Sequence, residues 1–162
     1  EDVGCVGAAL YYPDDTYQHA GVIIGYGGVA GHAFVNKPRT YPGYFCRAKI
    51  VQNVSAVTAA CMLVKKADFI AVNGFDEDVA VAYNDIDFCL KIQKIGRRNI
   101  YVPDVELYHY ESKSRWKEDT PEKIARYNEE IKLFKKKWSD AMIDPYYNIN
   151  LSLDIDYELN QN

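Results

Sequence analysis

VSAVTAACMLVKKADFIAVNGFDEDVAVAYNDIDFCLKIQKIG, residues 54–96, carries the densest structural signal in the chain. Residues 54–64 are apolar, β-branched at both ends and small in the middle, which predicts a central strand. Residues 65–72 predict a short helix stopped by Asn73-Gly74, because these residue types accept the left-handed conformation that ends a helix. Residues 84–95 predict a second helix, capped by Asn84 or Asp85 and ended at Gly96. The chain therefore reads as α/β, with a mixed sheet and packing helices.

Further along, residues 99–102 and 105–110 read as two strands around Pro103-Asp104. Thr120-Pro121 opens the longest helix, with proline at its first position. Ile124, Tyr127, Ile131, Phe134 and Trp138 then recur at spacings of three and four, which gives one packing stripe. Towards the N-terminus, residues 3–10 read as a buried strand and Pro13-Asp14-Asp15 as a turn. A second strand over 16–24 makes residues 8–24 a hairpin. Glycines 25, 27, 28 and 31 predict a mobile loop continuing to about Phe45, of the kind that serves as a lid or docking surface. Residues 1–138 thus form one domain. Residues 139–162 hold five acids and no Lys or Arg, and read as an extended Tyr/Asn-rich tail.

The 162 residues carry a net charge of −4, against the basic excess of a nucleic-acid binder. No run of 18 apolar residues spans a membrane. No signal peptide opens the chain, and a start at Glu1 reads as a piece of something longer. Cys5, Cys46, Cys61 and Cys89 form no C-x-x-C pair, so a structural zinc site is not expected and a reducing, cytoplasmic compartment is. Asn53-Val54-Ser55 and Asn150-Leu151-Ser152 are then chance matches to a glycosylation triplet. Fourteen tyrosines suit sugar recognition or, equally, core packing.

Three groups carry candidate chemistry. Gly25-Tyr26-Gly27-Gly28-Val29-Ala30 matches the dinucleotide pattern G-x-G-x-x-A, but no amphipathic helix follows to hold a pyrophosphate. Asp85 and Asp87 stand two residues apart at a helix start, a rotation of about 200°, so they face different ways. One is then a site residue and the other structural, and a helix cap is the competing role. His109 ends a strand, followed by Ser112, Ser114 and Arg115, a loop suited to phosphate or simply solvated.

The ordered set resembles the C-terminal half of a family 2 glycosyltransferase of the GT-A fold, closest to bacterial rhamnosyltransferase-like members. It comprises residues 54–64, Asn73-Gly74-Phe75-Asp76-Glu77, Asn84-Asp85-Ile86-Asp87-Phe88-Cys89-Leu90, Tyr108-His109 and Glu111-Ser112-Lys113-Ser114-Arg115. Val6-Gly7-Ala8, Tyr12-Pro13-Asp14, Gln18-His19-Ala20-Gly21 and Gly31-His32 fit the same group. The resemblance implies inverting transfer from a nucleotide-diphosphate sugar to a saccharide or lipid-linked acceptor, with Asp85 as general base. It implies His109 as ligand to Mn²⁺ or Mg²⁺, and Arg115 and Ser114 as diphosphate contacts. It also implies a partial fold lacking the nucleotide-binding half, with its upstream D-x-D. Asp76-Glu77-Asp78 and Asp85-Ile86-Asp87 are D-x-D strings, but they fall too late for that role. Such a fragment is expected to be inactive alone and to pair as a homodimer through exposed sheet edges. Peripheral association with the inner membrane face is a further expectation. The alternative is a non-catalytic carbohydrate-binding or assembly module.

Overall fold

The computed structural model describes residues 2–79, 82–110, 120–155 and 157–160. Its centre is a parallel pair, β1 (Val3–Tyr11) beside β7 (Arg98–Tyr108). Val6, Gly7 and Ala8 face Ile100, Tyr101 and Val102, and the register then jumps to Ala9 opposite Glu106. The expected two strands are thus one, with residues 103–105 displaced as a bulge. Pro103 has no N–H for the ladder, and the bulge puts it where none is needed. Along the outer side of β7 runs β5 (Gln52–Val54), antiparallel. On the free side of β1 lie β6 (Met62–Leu63) at Val6–Gly7 and β2 (Tyr17–His19) at Leu10–Tyr11, both antiparallel. The five-stranded sheet is therefore mixed.

The expected central strand over 54–64 is not one strand. Val54 ends β5, residues 59–61 form a 3₁₀ turn and Met62–Leu63 is β6. The apolar run signals burial, not extension, because it crosses over β1. A Cβ on Gly7 would lie 2.5 Å from Val57 Cβ, so glycine leaves the room for that crossing. Asn99 fixes the arrangement from inside. Its Oδ1 accepts the Cys5 N–H at 3.2 Å, while its Nδ2 donates to the carbonyls of Ser55 at 2.9 Å and Cys89 at 3.0 Å.

The expected strand over 16–24 breaks at Ala20-Gly21. There Gly21 takes φ +94° with Val54 packed against it, and β3 (Val22–Ile24) leaves the main sheet. It pairs with β4 (Ala30–His32) in a separate hairpin. The glycine-rich stretch is the turn of that hairpin, pinned by the Gly27 N–H to the Leu153 carbonyl at 2.8 Å. No α-helix begins there.

Helix α1 (Lys66–Ala71) ends at Asn73 and Gly74, both near φ +60°. Helix α2 (Asn84–Lys94) ends before Gly96 at φ +79°. Neither Asn84 nor Asp85 caps it: Tyr83 holds the capping position in the left-handed conformation, with no side-chain cap. Helix α3 (Pro121–Lys137) is capped by Thr120, whose Oγ1 accepts the Lys123 N–H at 3.4 Å. Phe134 and Trp138 of its stripe are buried, while Ile124 is exposed.

Residues from 139 onward return to the hairpin rather than trailing away. Asp144 accepts the Ile24 N–H on Oδ2 and the Tyr146 N–H on Oδ1, each at 2.8 Å. Burial pushes its carboxyl above the ordinary aspartate range. Tyr157 stacks between Phe34 and Tyr44, at 4.9 and 5.1 Å between ring centroids. Among the described residues no helix is long and apolar enough to cross a membrane.

Candidate functional site

Asp85 owes its position to the direction of α2. A Cβ on Gly4 would meet Ile92 Cγ2 at 2.3 Å, so the C-terminal half of α2 lies over the start of β1. One turn earlier, Cys89 Sγ lies 3.4 Å from the Val57 amide, level with Gly7. The helix thus runs antiparallel to β1, and its N-terminus points to the C-terminal end of the β1–β7 pair. Asp85 is half-buried there. Its Oδ2 accepts the Ala59 N–H at 3.1 Å and its Oδ1 the Ile86 N–H at 2.9 Å. Each oxygen keeps lone-pair capacity for an incoming hydroxyl.

Asp87 has turned to the interior, as helix geometry demands, and is fully buried. Trp138 Nε1 donates to its Oδ1 at 2.8 Å, and Lys137 Nζ lies 2.6 Å from the same atom. Lys91 lies 3.5 Å from Oδ2. Burial opposes the Lys137 charge, but Asp76 and Asp87 outweigh it and raise its pKa. Asp87 and Asp76 therefore join α2 and the preceding loop to α3, and both D-x-D strings have structural members.

His109 follows β7, and its backbone N–H donates to the Tyr11 carbonyl at 2.9 Å. This places it beyond the same end of the sheet that α2 points to. Its Nδ1 is buried without a hydrogen-bond partner among the described residues. Beside it is a polar network on Glu106, whose carboxylate takes Arg39 on one oxygen and the Tyr11 hydroxyl at 2.8 Å on the other. Arg39 first, then Tyr11, holds the Glu106 carboxyl below its ordinary range. Arg39 also reaches the Tyr108 hydroxyl at 3.2 Å and covers the Tyr11 ring at 4.8 Å. The network anchors residues 38–41 to the end of β7.

Ser114 and Arg115 lie outside the described residues. Among those that are described, no three His, Cys, Asp or Glu side chains converge, so they do not by themselves build a metal centre. His109 offers a buried ring nitrogen, Nδ1, with no hydrogen-bond partner among the described residues.

One cluster was not singled out from residue types. His19, at the end of β2, and His32, at the end of β4, bring their Nδ1 atoms to 3.3 Å, with ring centroids 4.8 Å apart. The Thr58 amide lies 3.5 Å from His19 Nε2, and the next amide, Ala59, is the one bound to Asp85. In the sequence the two stand in Gln18-His19-Ala20-Gly21 and Gly31-His32, and only the fold brings their rings together.

Comparison with known proteins adds a chemical context. The chain is 54% identical over 154 residues to the uncharacterized protein y4gI of Sinorhizobium fredii, which covers 94% of this chain and 17% of that relative. It is 35% identical over 153 residues to the O-antigen biosynthesis protein RfbC of Myxococcus xanthus, covering 94% of this chain and 12% of that one. Over 49 residues, 30% of this chain and 19% of the relative, it is 45% identical to the rhamnosyltransferase WbbL of Escherichia coli. The likeness is to glycosyltransferase-like proteins. The chain spans less than a fifth of the length of the first two relatives, and its match to the third covers less than a fifth of that one. No protein-family profile matches it, and no solved structure does.

Proposed function

We propose that these residues form the acceptor side of an inverting, family 2 glycosyltransferase of the GT-A fold. Its substrates are a nucleotide-diphosphate sugar and a saccharide or lipid-linked acceptor, handled at the cytoplasmic membrane face. The observation that carries the reading is Asp85. It is a half-buried carboxylate, held by the Ala59 amide, at a helix N-terminus that points to the C-terminal end of the central parallel strands. The O-antigen and rhamnosyltransferase names of the relatives support the same chemistry.

Asp85 takes the proton of the acceptor hydroxyl as that oxygen bonds to the anomeric carbon. The bond from that carbon to the diphosphate oxygen breaks, and the nucleoside diphosphate leaves with the electron pair. The carboxylate does not move during the step, because two amides fix it, and this fixed geometry is what makes a general base effective. Arg115 and Ser114 are assigned to the diphosphate. His109 is the ligand these residues contribute to a divalent cation, whose further ligands belong to the donor side. When bound, that cation neutralises the leaving group.

The test uses the complete gene product and follows nucleotide release from UDP-, GDP- and dTDP-sugars with Mn²⁺. The expected result is donor-specific release that falls by about 10²–10⁴ in Asp85→Asn, the usual contribution of a general base. Saccharide binding without turnover of any donor overturns the catalytic role and leaves a carbohydrate-binding module.

A further inference from the structure

Three buried polar atoms without hydrogen-bond partners among the described residues belong to side chains that line one cavity. They are Arg47 Nε, Gln52 Oε1 and Ser55 Oγ. The cavity lies where the start of β3, the residues around β5 and the C-terminal stretch meet, with Asp144 and Tyr147 also in its wall. Buried polar atoms are nearly always paired, so three on one cavity point to one shared partner.

The chemistry of each atom narrows what that partner is. Gln52 Nε2 donates to the Arg47 carbonyl, which accepts only from the NH₂ end of the amide, so the unpartnered end is a true acceptor. Arg47 Nε–H is a donor only. Ser55, 1% exposed, serves as either, because its hydroxyl turns to suit. Asp144 adds a negative neighbour whose two oxygens already accept the Ile24 and Tyr146 amides, each at 2.8 Å. Burial raises its carboxyl, and after those amides the Ser55 hydroxyl and the Arg47 charge draw it back. Ser55 thus lies close to Asp144 without completing a hydrogen bond to it. A cation is repelled by the Arg47 Nε–H, and an anion by Asp144 and Gln52 Oε1. What remains is a neutral group that both donates and accepts. The cavity measures about 10 Å³, close to the smallest that holds a water molecule.

We propose that this cavity is the binding site of one structural water, which accepts from Arg47 Nε–H and donates to Gln52 Oε1, with the Ser55 hydroxyl as its third partner. About three hydrogen bonds are usual for a buried water. The site ties residues 47–55 together next to the C-terminal stretch, beside the bonds that Asp144 makes to β3. It does not depend on the transferase reading.

The test begins with the unaltered 162-residue chain. A high-resolution crystal structure should show one water within hydrogen-bond distance of all three atoms and no anomalous signal at its place. In solution, the Arg47 Nε–H should give a rotating-frame Overhauser cross-peak to water, opposite in sign to an exchange peak. Ser55→Val, whose methyl groups take the place of the hydroxyl and the water, should lose the water and the cross-peak, with the amide spectrum away from the cavity unchanged. Ser55→Ala, which removes only the third partner, should keep both. A dry cavity, an ion in it, or Arg47 Nε bonded directly to Gln52 Oε1 or Asp144 overturns the proposal. Those outcomes are read on the unaltered chain, so they stand even where Ser55→Val fails to fold. A cross-peak that survives Ser55→Val also overturns it, because the water then lies elsewhere.

Discussion

Asp85 and Asp87 show how far two neighbouring residues of one type can diverge. The rotation between them was legible in the sequence, because helix geometry alone separates their directions. Which one faces inward was not, since that depends on Trp138 and Lys137, about fifty positions away. Their variants should part accordingly. Asp87→Ala leaves Lys137 and the Trp138 indole facing an empty buried site, and should cost about 3–5 kcal/mol, as breaking other buried ion pairs does. That lowers the thermal midpoint by roughly 10 °C for a chain of this size. Asp85→Asn, with its carboxylate half-exposed, should move the midpoint by only a degree or two while removing turnover. Calorimetry of the two variants side by side checks this, and equal midpoints would contradict it. His19 makes a prediction in pH. Its folded pKa lies well below the unfolded value of 6.5, because burial and His32 disfavour the charged ring. The unfolded chain therefore binds a proton on acidification that the folded chain refuses. The stabilisation is full above pH 6.5 and is lost as pH falls towards the folded value, at up to about 1.4 kcal/mol per pH unit. Urea midpoints between pH 7.5 and 5 should slope downward, and His19→Gln should flatten that slope.

The elements read correctly from the sequence were those with local causes. Strand β1, helix α1 with its Asn73-Gly74 stop, α2 with its Gly96 stop and the Thr120-Pro121 start of α3 all follow from propensity, periodicity and turn chemistry. The misread ones have distant causes. Residues 54–58 are as apolar as a central strand because they are buried between α2 and β1, yet they pair with strands only at Val54 and through the single bridge from Ala56 to Val22. The hairpin of β3 and β4 was hidden in a glycine-rich stretch because its stability comes from residues 142–157, far along the chain. Asn99 is the clearest case, a polar residue whose value lies wholly in tertiary structure. It satisfies three buried backbone groups belonging to β1, α2 and the segment after β5. Asn99→Ala leaves the Cys5 N–H and the Ser55 carbonyl without that partner, and at about 1 kcal/mol or more for each it should cost roughly 2–3 kcal/mol. Hydrogen exchange gives the sharper readout. The amides of Cys5 and Val57 should lose protection together, whereas a local effect would expose Cys5 alone.

Over the whole molecule, the C-terminal stretch carries the largest difference between composition and structure. Five acids and no basic residue describe an extended tail when counted along the chain. In three dimensions one of those acids, Asp144, is buried and bound to the edge of β3, and the aromatic ring of Tyr157 lies between Phe34 and Tyr44. Composition counts charges without their partners, and the partners here are more than a hundred residues away. The consequence is that the β3–β4 hairpin, which carries His32, depends on residues 139–160 for its support. Removing them takes away the acceptor of the Ile24 N–H, the carbonyl that pins Gly27 and the ring that covers Phe34. A chain ending at Trp138 should therefore unfold with a lower midpoint and lower cooperativity than the 162-residue chain, and lose amide protection first in residues 22–32. Asp144→Ala isolates one part of this. Loss of a buried, charge-assisted pair of hydrogen bonds should cost about 2–3 kcal/mol, with the protection loss centred on Ile24. Equal protection of residues 22–32 in the intact and shortened chains would show that the hairpin stands on the main sheet alone.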